Sequence, residues 1–430
     1  MPRVVVIGGG LAGCAAAAMA AKAGAQVVLL ERMDVLGGCA LFAGRVDHRY
    51  FTVREELRLM EGDDIFQVFD RCALHSAVRF PWPGPEGAIK DLYDTTRLDG
   101  ELRKQLAGLG VEVRVISRAK DVVMEGVRLR EVVLDDGTGV AGDTFVDATG
   151  GAGGRSACHK YGHGCVMCFI RCPAFGDRVS IAAKAGITEL RGQKKDGSPG
   201  PITAAIHLVK ETLAPDLKRE LEATGIVIVP IPAELIDYGR TASITASANI
   251  DGGFAENVVL ADVGHYAKRI AAGYTPLSEL QRIPGLERAI IADPAAGTLG
   301  NAVRYMALTP RGDALDVPGT DNLFVASEKL GINGVGEATV TGVIAGNNAA
   351  RRAAGTGPLV LPHTTMTGSF IAYVNGRWDT EDGLRQRSYI FSGPFWSAAQ
   401  RTGLATEDRD LIRARIHEHG LEGVFGRKLS

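Results

Sequence analysis

The sequence predicts an α/β protein whose parallel sheet is assembled from both ends of the chain, with a mixed α+β segment inserted between them. Three observations carry this reading. Residues 4–31 run as an apolar strand, a glycine turn, a helix of small residues and a second strand closed by an acid. Residues 322–355 give a strand, an acid, a glycine-rich loop and another small-residue helix near the opposite end. Residues 155–300 contain no further strand–GxGxxG–helix unit and read as strands separated by loops.

Residues 4–7 form a short apolar run suited to a buried parallel strand. Gly8, Gly10 and Gly13 then occupy the G-x-G-x-x-G positions. The first glycine allows the tight turn, the second lets backbone approach a pyrophosphate, and the third lets helix pack closely on strand. A helix is predicted over 11–23, lying between sheet and solvent. The N–H groups and positive dipole end at Leu11, Ala12 and Gly13 face the phosphates. Residues 27–30 make the second strand, and Glu31 at its end is placed to accept hydrogen bonds from a ribose, with Arg32 beside it. A lone glycine motif is weak, but this one has each context element that dinucleotide binding requires.

Two further stretches favour FAD over NAD. After Glu31 the chain continues RMDVLGG, bringing Gly37 and Gly38, and over 322–355 it reads NLFVASEKLGINGVGEATVTGVIAGNNAARRAAG. Here it resembles the glutathione-reductase-type FAD proteins. The resemblance implies a Rossmann-like FAD-binding domain to which the second segment returns, placing a helix from about Ala338 with its N-terminus near the isoalloxazine. It places Glu328, Gly334, Gly336, Glu337 and Ala338 beside the flavin. TFVDATG over 144–150 is similar to that family's strand-and-ATG segment, which adds Ala148, Thr149 and Gly150 to the cofactor-binding set, with Gly38. The expected division is 1–155 (FAD domain, first part, with a β-meander), 156–300 (inserted domain), 301–360 (FAD domain, second part) and 361–430 (helical C-terminal segment).

Seven cysteines are present, and four fall together: Cys158, Cys165, Cys168 and Cys172, followed by Pro173. Their spacing, C-x6-C-x2-C-x3-C-P, ends like the bacterial ferredoxin run. Four thiolates in that pattern suit a 4Fe-4S cluster; structural zinc, a redox disulfide or reduced packing thiols are the alternatives. Cys39, directly after Gly38, is the candidate catalytic thiol beside the flavin. No second cysteine follows within a few residues, so its alternative role is a small buried residue packing under the flavin.

The remaining elements complete the frame. A helix is expected at 97–109, a strand at 111–116, and a hairpin from 122–124 and 127–134 ended by the DDG turn at 135–137. The proline-rich stretch 80–87 reads as a loop. In the middle, strands are expected at 202–209, 226–231, 242–250 and 289–292, with an exposed helix at 210–224. The last helix falls within 405–425, with Thr406 as its cap and Glu407 and Asp408 in its first turn. Its arginines, interspersed with acids, read as a solvated face, and Trp378 and Trp396 as packing residues.

The chain has 430 residues, 46% hydrophobic and 23% charged, as in globular proteins, and 55 glycines. A net charge of −2 gives no reason to expect strong nonspecific nucleic-acid binding. Met1 leads straight into the first strand, and the apolar helix carries Lys22 and is too short to cross a bilayer, so a cytoplasmic protein without membrane attachment is expected. Oligomeric state is not legible.

The order of an IPGLE stretch at 283–287, the 322–355 segment and HTTMTGSFIAYV at 363–374 resembles the GidA/TrmFO group of tRNA-modifying flavoproteins. This resemblance covers roughly the first 35 and last 150 residues. It implies a flavin that takes a methylene from methylenetetrahydrofolate and delivers it to a tRNA uridine, with NAD(P)H as reductant. The chain departs from the group in its four-cysteine segment and in the loop GINGVGEA, which lacks the group's aromatic. The leading expectation is an FAD-dependent oxidoreductase whose flavin exchanges electrons with the cysteine-held cluster or with a thiol or small-molecule substrate. Ferredoxin or NAD(P)H is the electron partner. The alternatives are the folate- and FAD-dependent tRNA methyltransferase, or a flavin-bound structural or assembly factor.

Overall fold

The computed structural model describes residues 1–80, 88–151, 179–193, 201–202, 206–238, 253–270, 275–292, 304–305, 307–332, 334–385, 391 and 393–429. The N-terminal half runs β1 (Arg3–Ile7), α1 (Leu11–Lys22), β2 (Gln26–Leu30), β3 (Arg45–Asp47), α2 (Phe51–Leu59), α3 (Asp64–Arg71), β4 (Ala73–Phe80) and β5 (Ala88–Tyr93). It continues with α4 (Leu98–Gly108), β6 (Glu112–Arg114), β7 (Ala119–Glu125), β8 (Arg128–Leu134), β9 (Gly139–Ala141) and β10 (Thr144–Asp147). The middle holds β11 (Ile206–Val209), α5 (Pro215–Thr224), β12 (Ile226–Pro230), β13 (Asn257–Asp262) and β14 (Tyr266–Arg269). The C-terminal part supplies β15 (Leu323–Val325), α6 (Val335–Ala353), α7 (Met366–Asn375), α8 (Gly393–Arg401) and α9 (Arg409–Glu418).

Among the described residues one parallel sheet has the order β15–β10–β1–β2–β6. Both ends of the chain therefore enter a single sheet, as the sequence predicts. Val4, Val5 and Val6 are wholly buried, which is what a strand covered on both faces demands. Separate antiparallel sheets are formed by β3–β5–β4, by the meander β7–β8–β9, and by β11–β14–β13–β12. The last carries its own apolar core, including Leu208, Leu260 and Leu286. The inserted unit is joined to the parallel-sheet domain through Lys268 Nζ on the Ala43 carbonyl (2.7 Å) and Thr95 on the Val263 carbonyl.

One correction concerns α1. It does not lie between sheet and solvent: residues Leu11 to Ala20 are all buried, because α6 crosses directly over it. A Cβ at Gly342 or Gly346 of α6 would collide with the Ala12 or Ala16 carbonyl, so the small residues of both helices permit backbone contact. Thr144 Oγ1 adds a bond to the Ala349 carbonyl (3.0 Å), tying β10 to the same helix. Helices α7, α8 and α9 extend this core through Phe370, Phe395 and Ile416, so the C-terminal segment is packed onto the nucleotide-domain side.

Other boundaries move for local reasons. Helix α6 starts at Val335, before Ala338. Strand β6 stops at Arg114, ahead of Ile116, which takes a left-handed φ of 53°. The stretch 210–224 is not one helix: a short 3-10 turn (Lys210–Thr212) is followed by α5, because Pro215 occupies its first turn and forces Ala214 into an extended conformation. At 289–292 only an isolated bridge, Leu208 to Ile291, forms. The cap of α9 is Asp408, accepting from the N–H of Asp410 and Leu411; the Thr406 backbone instead bonds the Thr52 hydroxyl. The expected strand at 242–250 lies outside the described residues, as does 81–87 of the loop expected at 80–87, whose first residue, Phe80, instead ends β4. Trp378 and Trp396 pack against the main core as expected, with the Arg311 guanidinium 4.7 Å from the Trp378 ring centre. Among the described residues no helix is long and apolar enough to cross a membrane.

Candidate functional site

The chain leaves β1 for β2 on one side, while β10 lies on the other. Such a switch point opens a crevice beyond the strand ends, which is where open α/β sheets hold ligands. The glycine turn lines it. Gly8 has a φ of 106°, and a Cβ there would collide with the Ala148 carbonyl, so the ends of β1 and β10 touch. A Cβ at Gly13 would collide with the Gly8 carbonyl. The fold itself demands both glycines.

Gly10 is different. Its φ of −69° and ψ of 178° are open to any residue, and a Cβ there meets no atom within 4 Å. It is the N-cap of α1 and offers no side chain to the first-turn N–H groups of Leu11, Ala12 and Gly13. Open space in front of uncapped N–H groups at a helix N-terminus fits a pyrophosphate. The Leu11 and Ala12 side chains are buried, so these residues offer only backbone to the ligand.

Glu31 sits at the exit of β2. Its Oε2 accepts from Gly9 N (2.6 Å) and its Oε1 from Met33 N (2.7 Å). It thereby locks the glycine turn, and each carboxylate oxygen keeps acceptor capacity for a ribose hydroxyl. Arg32 beside it is half-buried. Gly37 N donates to the Gly9 carbonyl (2.8 Å), and a Cβ at Gly38 would lie 3.1 Å from Gly10 Cα. The Gly37–Gly38 turn thus borders the same concavity.

The ATG turn closes the crevice from β10. Asp147, wholly buried, accepts from Thr149 N (3.1 Å), Thr149 Oγ1 (2.6 Å) and Ala182 N (3.1 Å). Gly150 has a φ of 79°, and Gly151 N donates to the Glu328 carboxylate. Cys39 Sγ lies 3.8 Å from Glu328 Oε1. Segments 37–39, 147–151 and 328 therefore meet, as the sequence implies. Cys39 is exposed on this side of the crevice.

Sequence reasoning missed the polar knot below this junction. Lys329, with no exposed surface, lies 3.1 Å from Glu189 Oε1 and 3.7 Å from Asp147 Oδ2. Glu189 also accepts from Thr309 Oγ1 and Ser180 Oγ. Asp147 lies within the TFVDATG motif and Lys329 follows Glu328, so both had a signal; Glu189 had none.

The N-terminus of α6 forms the other end of the site. A Cβ at Gly336 would press 2.9 Å from the Tyr50 ring, and Tyr50 Oη donates to Glu337 Oε2 (2.7 Å). Phe391 N donates to Glu337 Oε1 (2.6 Å). Gly334 caps this helix, and a Cβ there would collide with the Glu337 carboxylate. Burial pushes the Glu337 carboxyl up to about 7, against the pull of these hydrogen bonds. Ala338 is buried in the same turn. Nearby, Asp47 pairs with Arg49 (2.9 Å) and Lys90 (2.6 Å). Burial lowers Lys90 to about 8, opposed by Asp47.

Cys158, Cys165, Cys168 and Cys172 lie outside the described residues. Among the described residues no group of three or more histidine, cysteine or carboxylate side chains is placed to hold a metal ion.

Comparison with known proteins agrees with this geometry. A model of FAD dependent oxidoreductases matches residues 3–153, and a model of glucose inhibited division protein A matches 276–357. The methylenetetrahydrofolate–tRNA-(uracil-5-)-methyltransferase TrmFO of Thermus thermophilus is 36% identical over 98 residues, 22% of this chain and 21% of that one. A menaquinone reductase of Mycolicibacterium smegmatis is 32% identical over 154 residues, 34% of this chain and 37% of that one. The match thus spans about a fifth of the length of the TrmFO relatives. Among solved structures, GidA of Aquifex aeolicus superimposes with a TM-score of 0.63 at 16% identity, covering 97% of this chain and 76% of that one, a likeness of fold. The chain is thus similar to the FAD-dependent oxidoreductases over residues 3–153 and to glucose inhibited division protein A over 276–357, and it shares the fold of GidA.

Proposed function

We propose that this chain is an FAD-dependent oxidoreductase whose cofactor exchanges electrons with a 4Fe-4S cluster held by Cys158, Cys165, Cys168 and Cys172, or passes them to a thiol or small-molecule substrate. One observation carries the cluster reading. The described residues flanking the cysteine segment are tied to the same knot: Gly151 to Glu328 on one side, Ser180 to Glu189 and Ala182 to Asp147 on the other. The backbone on both sides of the cysteine segment therefore starts from the crevice, and three of the four cysteines keep the C-x2-C-x3-C-P spacing of ferredoxins, which supports this reading.

FAD, when bound, supplies hydride and single-electron chemistry. The chain's own part is binding and orientation. Gly10 and the first turn of α1 receive the pyrophosphate, Glu31 receives the ribose, and Gly38 lets backbone approach. Asp147 fixes the ATG turn through Thr149. Ferredoxin or NAD(P)H is the proposed electron partner. The test is anaerobic purification with an absorbance spectrum and metal analysis. About four irons per chain, lost in Cys168→Ser with FAD retained, is the expected result; a yellow, iron-free protein removes the cluster.

A second reading, folate- and FAD-dependent methylation of a tRNA uridine, draws support from the TrmFO identity and the GidA match at 276–357. It predicts transfer of labelled methylene carbon from methylenetetrahydrofolate to tRNA when NAD(P)H is supplied. Unlabelled tRNA under those conditions excludes it.

A further inference from the structure

We propose that the face of β3 and β5 beside the start of α6 binds a carboxylate or phosphate group of the substrate, with Arg45 as its principal contact. Arg45 and Asp47 are two residues apart on β3 and so share a face, and Lys90 of β5 stands directly opposite Asp47. Arg49 folds back onto the same Asp47 carboxylate, through Nε (3.0 Å) and Nη2 (2.9 Å). Two cations thus pair with one carboxylate, and a third, Arg45, stands on the same face. Asp47 is fully used by Arg49 and Lys90, and Arg45 Nη1 is buried with no hydrogen-bond partner among the described residues.

The neighbouring acids do not correct this imbalance. Asp91 follows Lys90 and so points to the opposite face, where it bonds His48 (2.8 Å). Glu337 has both oxygens taken, by Tyr50 Oη and Phe391 N. A surplus of part-buried positive charge is costly unless an anion completes it, and a guanidinium fork suits the paired oxygens of a carboxylate or phosphate. Position adds to the case. Tyr50, three residues beyond Asp47, packs on Gly336 at the first turn of α6, so the cationic face borders the crevice. Its residues are other than those that line the Gly10 concavity.

This assignment rests on the oxidoreductase reading for the fate of the substrate, but not on the cysteine cluster. Its test is titration of the FAD-loaded full chain with oxalate and, separately, with inorganic phosphate, followed by flavin difference absorbance and by the thermal midpoint. One of the two anions is expected to saturate. The stronger binder identifies the group as carboxylate or phosphate. Arg45→Gln is expected to weaken that binding at least tenfold with FAD content unchanged, and Arg45→Lys to restore part of it. Binding that is equal in Arg45→Gln and the unaltered chain, or absent for both anions, overturns the proposal. Iron content measured on the same samples shows separately whether the cluster reading fails.

Discussion

The two ends of the crevice are made of different materials. At the pyrophosphate end the working parts are backbone and absent side chains: Gly8, Gly10 and Gly13, the first turn of α1, and Gly38. At the far end they are side chains gathered from distant segments: Arg45, Asp47, Tyr50, Lys90 and Glu337. The first end is settled by steric fit and tolerates no added carbon where chain meets chain. The second is settled by charge balance and hydrogen bonding, where single substitutions shift protonation as well as stability.

Substitutions rank accordingly. Gly13→Val and Gly346→Leu drive side chains into carbonyls of Gly8 and Ala16, and each is expected to cost more than about 4 kcal/mol. Loss of soluble, folded chain on expression is the readout; a normal melting curve for either variant would refute the close packing. Lys329→Met ranks second, leaving Asp147 and Glu189 buried without their cation. Its expected cost is about 3–5 kcal/mol, read as denaturant midpoint, with partial recovery in Lys329→Met/Glu189→Gln.

The effect of pH is next in size. Burial raises Glu337 from 4.5 to about 7, so the folded chain holds this proton more tightly than the unfolded one. Its contribution to stability is complete below about pH 4.5 and is lost as pH rises through about 7. Glu56, buried beneath α7 and accepting from the N–H groups of Met366 and Thr367, behaves the same way. Glu337→Gln is expected to remove about 3 kcal/mol of the difference between pH 4.5 and pH 8. An unchanged difference between melts at those two values would show that the carboxyl titrates normally. Smallest is Tyr50→Phe, which leaves Glu337 Oε2 without its donor and is expected to cost about 1–3 kcal/mol in thermal or denaturant unfolding.

The same contrast explains what the sequence revealed. Gly8, Gly10, Gly13 and Glu31 act within one strand–turn–helix–strand unit, so their spacing alone is informative. The convergence of 37–39, 147–151 and 328 was legible only through family resemblance. Glu189 and Arg45 were not legible at all, because the Lys329 partner of Glu189 stands 140 residues away and the cationic face around Arg45 forms only when β3 and β5 pair. Buried α1 was misplaced for a related reason: a helix of small residues reads as peripheral until the glycines of α6 are known to lie against it. The misplaced cap at Thr406 reflects competition between neighbouring cap residues, which Thr52 decides by holding the Thr406 backbone N–H and carbonyl on its own hydroxyl.

Gly10 separates ligand from fold, because its backbone suits any residue and its Cβ position is open. FAD stoichiometry and melting temperature should therefore be measured together on purified Gly10→Val. Binding should fall at least a hundredfold, about 2.7 kcal/mol, while the melting temperature of the FAD-free protein stays unchanged. A yellow Gly10→Val protein carrying one FAD per chain would mean that no pyrophosphate rests in this crevice.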